Sequence, residues 1–406
     1  MLKPVEQHFA DVVGLARFLG AERVPVADVS GRVLAQDVTV RVAVPPFTNS
    51  AMDGFAVRAV EVEPGRPLPV SGDIPAGTAP GALAPGTAMR IMTGSPLPEG
   101  ADTVLKVEDT DGGMNNMGTR APAAVVPTAT VAPGANVRAA GGDVAAGTLL
   151  YRRGQRLGPA DVGALISVGY AEVECARLPR VGIVATGEEL RSPGEELQPG
   201  QIPDSNSYTL AAVVANFGAL PVRRSLHADT VDGFLGELDQ LAGKVDVICT
   251  SGGVSAGAFD VVKAALRSRG VAFEKVNMQP GKPQGYGRVG GVPIVCVPGN
   301  PVSSFVSAHL FVLPLLQAMM GEPARDFASL FQPATVTAGW SRNAGRIQFQ
   351  PIHEQAGGVA PASHGGSASH FVASLGAATG LAMVPADQAE VPAGTTLPVH
   401  WFGPRR

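Results

Sequence analysis

Hydrophobic positions follow three different rhythms along the chain. At the start, Val5, Phe9, Val12, Val13, Ala16 and Leu19 recur at three- and four-residue intervals, which predicts a helix over residues 4–19. From residue 24 to residue 150 short apolar runs (VPVADV, GRVLAQDV, TAMRIM, DTVLKV) alternate with Pro/Gly clusters. That texture predicts a small all-β region. Residues 111–134 carry little pattern and read as a long loop or hairpin excursion. Near residue 179 the rhythm changes again. RVGIVAT, ALPVRRSL, VDVICT, VAFEKVNM and PIVCVP read as strands, and SNSYTLAAVVANFG, TVDGFLGELDQLAG, DVVKAALRSRG and residues 302–320 as helices. Such alternation predicts a three-layer α/β/α domain with a mostly parallel sheet. Beyond residue 332 short strands return, ending in LPVHWF, as a small C-terminal β domain. The fold class is multi-domain α/β plus β.

Composition narrows this picture. The 406 residues include 51 glycines and 35 prolines, more than average yet short of the roughly 25–30 % typical of low-complexity chains. A hydrophobic content of 45 % excludes wholesale disorder, and so many helix breakers exclude a coiled coil. Net charge is −4 and no Lys/Arg run occurs, so nucleic acid is not an expected partner. Cys175, Cys249 and Cys296 have no C-x-x-C spacing, and the latter two lie in apolar runs. They read as buried thiols of a reduced, cytoplasmic protein. The N-terminus lacks the apolar core of a signal peptide. Residues 302–321 contain no Asp, Glu, Lys or Arg and approach bilayer length. Ser303, Ser304, Ser307, His309, Pro314 and Gln317 interrupt them, so a buried core helix is expected and no membrane span.

Candidate chemistry collects at the predicted strand ends, where ligands of such sheets bind. Gly187-Glu188-Glu189 follows the first strand, and Asp204 precedes a helix capped by Ser205 or Asn206. Ser251-Gly252-Gly253-Val254-Ser255 and then Asp260 follow the third. Gln279-Pro280-Gly281-Lys282-Pro283 forms a turn presenting one lysine, and Gly299-Asn300-Pro301-Val302-Ser303 opens the last helix. Glycines let the backbone approach a ligand, and N–H groups at helix starts favour anions. Carboxylates beside such loops suit a nucleotide-like ligand with magnesium. Two other motifs are weaker. Gly285-Tyr286-Gly287-Arg288-Val289-Gly290 matches a dinucleotide fingerprint, but a strand follows it, so a hairpin is expected. Gly253-Val254-Ser255-Ala256-Gly257 matches a hydrolase elbow, but its triad partners Asp387 and His400 would come from the terminal β domain.

Taken together, the strings PPFTNSAMDGFAV, IMTGSPLPEGADTVLKVED, GANVRAAGGDVAAG, TGEEL, GQIPDSNSYTL, TSGGVSAGAFDVV, PGKPQGYG and VPGNPVSSFV resemble the molybdopterin molybdenumtransferase family: bacterial MoeA and the E domains of Cnx and gephyrin. The resemblance implies an enzyme that inserts molybdate into adenylylated molybdopterin and releases AMP with Mg2+ present. It implies a homodimer, with transient contact to molybdopterin adenylyltransferase and apo-molybdoenzymes. Its domains would be discontinuous: 1–23 with 177–328 the α/β domain, 24–43 with 149–176 an elongated linking domain, 44–148 an inserted β domain, and 329–406 the C-terminal β domain. Carried over by motif, Asp53, Thr93, Glu189, Asp204 and Asp260 would be catalytic, with Asp204 and Asp260 on the metal. Ser251, Gly252, Gly253, Ser255, Lys282, Pro283, Gly299, Asn300, Ser303, Arg346 and Ser367 would bind substrate. Thr48, Ala258 and Gln279 are neutral where the family often carries charge. That leaves a non-catalytic binding or scaffold paralogue as an alternative, beside the serine hydrolase.

Overall fold

The computed structural model describes residues 2–187, 189–225, 231–254, 261–363 and 371–403. Helix α1 (Val5–Val13) ends six residues before the predicted stop. Gly14 donates to Ala10, and Leu15 and Ala16 donate only three residues back. Leu19 instead donates to Met319 across the fold, so the apolar spacing continues into a coil that packs on the same core.

The buried face of α1 includes His8, held edge-on between Tyr286 and Phe311, with ring centroids at 5.3 and 4.7 Å. Lys3 beside it donates to Asp11, Glu274 and Tyr286. Burial pushes the His8 imidazole down to about 3; the Lys3 ammonium adds to the shift and Asp11 opposes it. Burial likewise lowers His309 and His400. A base whose folded pKa is depressed contributes stability that is complete above its unfolded value, near 6.5, and is lost as pH falls. The urea midpoint should therefore drop from pH 7 to pH 4. His8→Phe, which keeps a ring in place, should make that decline shallower by up to about 1.4 kcal/mol per pH unit; an unchanged slope would refute this account.

The β region forms a five-stranded sheet from β1 (Gly54–Val57), β2 (Leu68–Ile74), β3 (Ala88–Ile91), β4 (Thr103–Lys106) and β5 (Ala124–Val125). Its order is β4-β1-β3-β2-β5, with only β2 and β3 parallel. Phe55, Ala56 and Val57 are fully buried. Strand β5 lies inside the weakly patterned residues 111–134, and Arg90 pins that excursion. The buried Arg90 guanidinium takes both oxygens of Asp73 and donates to the carbonyls of Asn116 and Gly118. Outside this sheet, strand Ala21–Pro25 pairs antiparallel with Glu172–Ala176. Helix α2 (Pro159–Ser167) packs beside them on a core of Val24, Leu34, Leu157, Leu165 and Cys175.

The α/β domain runs β6 (Arg180–Ala185), α3 (Asn206–Phe217), β7 (Leu220–Ser225), α4 (Val231–Ala242), β8 (Val247–Ser251), α5 (Val261–Ser268), β9 (Ala272–Lys275), β10 (Pro283–Val289) and β11 (Val292–Val297). Among the described residues its sheet has the order β7-β6-β8-β11-β10-β9. The first four strands are parallel, and β10 runs antiparallel to both its neighbours, β11 and β9. Gly290 and Gly291, with φ of 57° and 83°, make the tight turn between β10 and β11, so the GxGxxG string is a hairpin as expected. The predicted strand VAFEKVNM is divided. It leaves the sheet at Val276, whose N–H bonds the Lys282 carbonyl at 2.7 Å.

The apolar stretch 301–319 is a core helix, 78 % buried. It consists of α6 (Pro301–Ser307), a π segment (Ala308–Val312) and α7 (Leu313–Met319). The wide turns lie just before Pro314, which has no N–H to give to the helical ladder. The C-terminal sheet contains β12 (Gln332–Thr335), β13 (Ile347–Gln355), β14 (Gly358–Pro361), β15 (Gly380–Val384) and β16 (Thr396–Trp401). Its edge is completed by Met278–Gln279, which pairs parallel with Ile347 and Gln348 of β13. The turn carrying Lys282 is thereby tied to the C-terminal domain.

Candidate functional site

Three loops from the carboxyl ends of the parallel strands, with Pro283, surround a cleft of about 430 Å³. Thr186 and Glu189 come from beyond β6, and Asp204 and Asn206 from the start of α3. Ser251, Gly252 and Gly253 follow β8, while Gly299 and Asn300 follow β11.

The loops are joined by side chains. Asn206 Nδ2 donates to Ser251 Oγ at 2.9 Å and to the Gly299 carbonyl at 2.6 Å, tying three loops together. Its position at a helix start gave only a capping signal, so this bridging role was not expected. Gly252 has φ of 97°, and a Cβ there would meet the Thr186 carbonyl at 2.9 Å. Glycine is required because conformation and space both exclude a side chain.

Asp204 is 6 % exposed and caps α3 itself. Its Oδ1 accepts from Ser207 N at 3.0 Å, and its Oδ2 accepts the Ser207 hydroxyl. Ser205 makes no side-chain cap, which corrects the predicted capping residue. Arg223, stacked over Tyr208 at 3.3 Å from the ring centroid, donates to Ser207 Oγ and stands 4.0 Å from Asp204.

The Lys282 turn is braced from behind. Gln284 Nε2 donates to the Gly281 carbonyl at 2.8 Å and to Ser307 Oγ at 2.7 Å. Arg346 reaches this turn from the C-terminal domain, where its Nη2 donates to Gln279 Oε1 at 3.3 Å. Gln279 thus orients a guanidinium. Ser303 is buried in the first turn of α6, and neither it nor Lys282 lines the cleft, although Pro283 does. Ser255, Asp260 and Ser367 lie outside the described residues. His400 turns Nδ1 to the Leu330 carbonyl at 3.2 Å and takes no part in the cleft.

Asp53 and Thr93 form a separate pair in the β region. Thr93 donates to Asp53 Oδ1 from its backbone N at 2.7 Å and from its hydroxyl at 2.9 Å. Neither lines the cleft of the same chain. The glycine after Asp53 has a packing reason: a Cβ on Gly54 would stand 2.1 Å from the Leu105 carbonyl and 2.9 Å from Lys106 Cα. Both obstacles are backbone, so Gly54→Ala must part β1 from β4. It should cost about 1–3 kcal/mol, read as a lower melting temperature; an unchanged one would show that the sheet accommodates the methyl.

Residues 3–169 match the family model described as "MoeA N-terminal region (domain I and II)". Residues 182–318 match "Probable molybdopterin binding domain". The chain is 44 % identical to molybdopterin molybdenumtransferase 2 of Mycobacterium tuberculosis, covering 98 % of this chain and 99 % of that one. It is 32 % identical to molybdopterin molybdenumtransferase of Haemophilus influenzae, covering 94 % of each. The crystal structure of a molybdopterin biosynthesis MoeA protein from Pyrococcus horikosii superimposes with a TM-score of 0.82 at 28 % identity, covering 100 % of both chains.

Proposed function

The chain belongs to the molybdopterin molybdenumtransferase family, and on that premise we propose that its cleft joins molybdate to adenylylated molybdopterin, releasing AMP. The observation that carries this reading is the convergence of Asp204, Ser251, Gly252, Gly253, Gly299 and Asn300 on one cleft at the ends of parallel strands. The backbone N–H of Gly253 and the Ser251 hydroxyl offer donors for the anionic linkage of an adenylylated substrate. Asn206 keeps those donors in register. Lys282, Arg346, Ser255, Ser303 and Ser367 are the groups for molybdate, a tetrahedral dianion suited to charge-assisted hydrogen bonds. Gln279 accepts from the Arg346 guanidinium and orients it, and Glu189 stands at the rim.

The donor set fits magnesium. Asp204 accepts from Ser207 yet retains lone pairs, and magnesium takes one or two carboxylates plus phosphate oxygens and water. Asp204 and Asp260 would hold it, and the ion would neutralise charge on the phosphate oxygens as the bond to AMP breaks. No thiol nucleophile is needed; burial pushes the Cys249 thiol up to about 12. The buried free cysteines suit a cytoplasmic setting, where molybdopterin adenylyltransferase and apo-molybdoenzymes would be met transiently.

The Asp53–Thr93 pair supports a homodimer in which one chain's β region completes the other's cleft. Two tests follow. Purified protein with adenylylated molybdopterin, molybdate and magnesium should release AMP and yield cofactor that reconstitutes an apo-molybdoenzyme. No release above the enzyme-free control would leave the non-catalytic paralogue as the reading. Separately, Asp53→Ala and Asp204→Ala chains, each inactive alone, should regain about a quarter of wild-type activity when dissociated and remixed, because half of random dimers carry one intact site. Failure to regain activity would place both residues in one chain's site.

A further inference from the structure

We propose that a pocket of about 300 Å³ between α7 and β16 is a second ligand site, for a flat heteroaromatic anion with a lactam or amidine edge. The pocket shares no lining residue with the rim cleft. Leu313, Trp401 and Phe402 give it apolar and aromatic walls, while His309, His400 and Arg325 supply its polar and charged contacts. Small-molecule sites have this make-up: aromatic walls with a few convergent polar groups.

The two imidazoles argue most directly for an occupant. His309 is 6 % exposed, and its Nδ1 has no hydrogen-bond partner among the described residues. It sits in the π segment, a helix irregularity that occurs often at functional sites. Nδ1 of His400 lies 3.2 Å from the Leu330 carbonyl, which makes that nitrogen the donor and leaves Nε2 as an acceptor. That Nε2 also lacks a partner. Burial lowers both imidazoles, and a neutral imidazole can offer one acceptor and one donor.

The rings lie 5.7 Å apart, and Phe402 leans on His309 at 4.1 Å with a tilt of 35°. A planar ring presenting neighbouring N–H and C=O or ring-N groups matches two such imidazoles beside an aromatic wall. Buried polar atoms without partners are rare in folded chains because each costs stability, and a ligand edge would satisfy both. At the mouth, Arg325 is exposed and forms no ion pair among the described residues. Its guanidinium suits a carboxylate or phosphate on the ligand.

Pterin-6-carboxylate carries both the lactam edge and the anion, and its fluorescence reports binding. Full-length protein should bind it saturably. Arg325→Ala should weaken that binding tenfold or more, and His400→Phe should abolish it. Asp204→Asn in the rim cleft should leave it unchanged. Unsubstituted pterin should bind more weakly and be indifferent to Arg325→Ala. In 15N spectra of histidine-labelled protein, the His309 Nδ1 and His400 Nε2 resonances should move on saturation. The proposal is overturned if wild type shows no saturable binding. It is equally overturned if neither Arg325→Ala nor His400→Phe alters binding, or if Asp204→Asn alone removes it, which would assign the probe to the rim cleft.

Discussion

Replacing Asp204 by Ala is expected to lower AMP release by about two to three orders of magnitude, the usual consequence of removing one preorganised electrostatic group from a reacting centre. Two roles meet in this carboxylate. One is structural: it caps α3 through Ser207 N and holds the Ser207 hydroxyl, to which Arg223 also donates. Losing a cap costs about 1 kcal/mol, which lowers the melting temperature without by itself abolishing turnover. The other is the negative charge at the cleft wall. Asp204→Asn separates the roles, because an amide oxygen can still accept from Ser207 N while the charge is gone. The expected result is near-normal thermal stability with AMP release as low as in the alanine variant. An asparagine variant with wild-type turnover would reduce Asp204 to a helix cap.

Phe311→Ala should have the largest effect on stability, about 3–5 kcal/mol. The ring is fully buried, lies in the π segment between α6 and α7, and meets the His8 ring of α1 edge-on. The same core cluster takes in Val181 and Ile183 of β6, Val295 and Val297 of β11, and Phe349 of β13. Truncation therefore opens a cavity where the opening helix, the central sheet and the C-terminal sheet meet. Against a typical total of 5–15 kcal/mol, the loss should appear as a much lower urea midpoint at constant slope. Phe311→Leu, which refills most of the volume, should cost less than about 1.5 kcal/mol. A cost below 1 kcal/mol for the alanine variant would mean that the core collapses around the gap.

The residues that were legible in advance and those that were not differ in the range of the forces that place them. The Gly290-Gly291 turn could be read locally, since only glycine adopts two successive positive φ angles cheaply. The burial of residues 301–319 followed equally from their polar interruptions. Asp204 reads as a candidate from its place at a strand end and does line the cleft, but the choice of cap among Asp204, Ser205 and Asn206 depends on which oxygen reaches Ser207 N, and three adjacent capping residues look alike in sequence. Asn206 showed only its capping type. Its partners, Ser251 and Gly299, stand 45 and 93 residues away.

The chain alone determined its alternating strands and helices, its Gly-rich strand-end loops and the strings that mark its family. Periodicity, turn chemistry and helix breaking act over a few neighbouring residues and are written there. Only the tertiary structure decided that Met278–Gln279 leaves one sheet to edge another, which sets Gln279 against Arg346. It also decided that Asp53 and Thr93 pair away from the cleft, and that His309 and His400 face one pocket. Those outcomes depend on which distant surfaces bury one another, and no local window contains that competition.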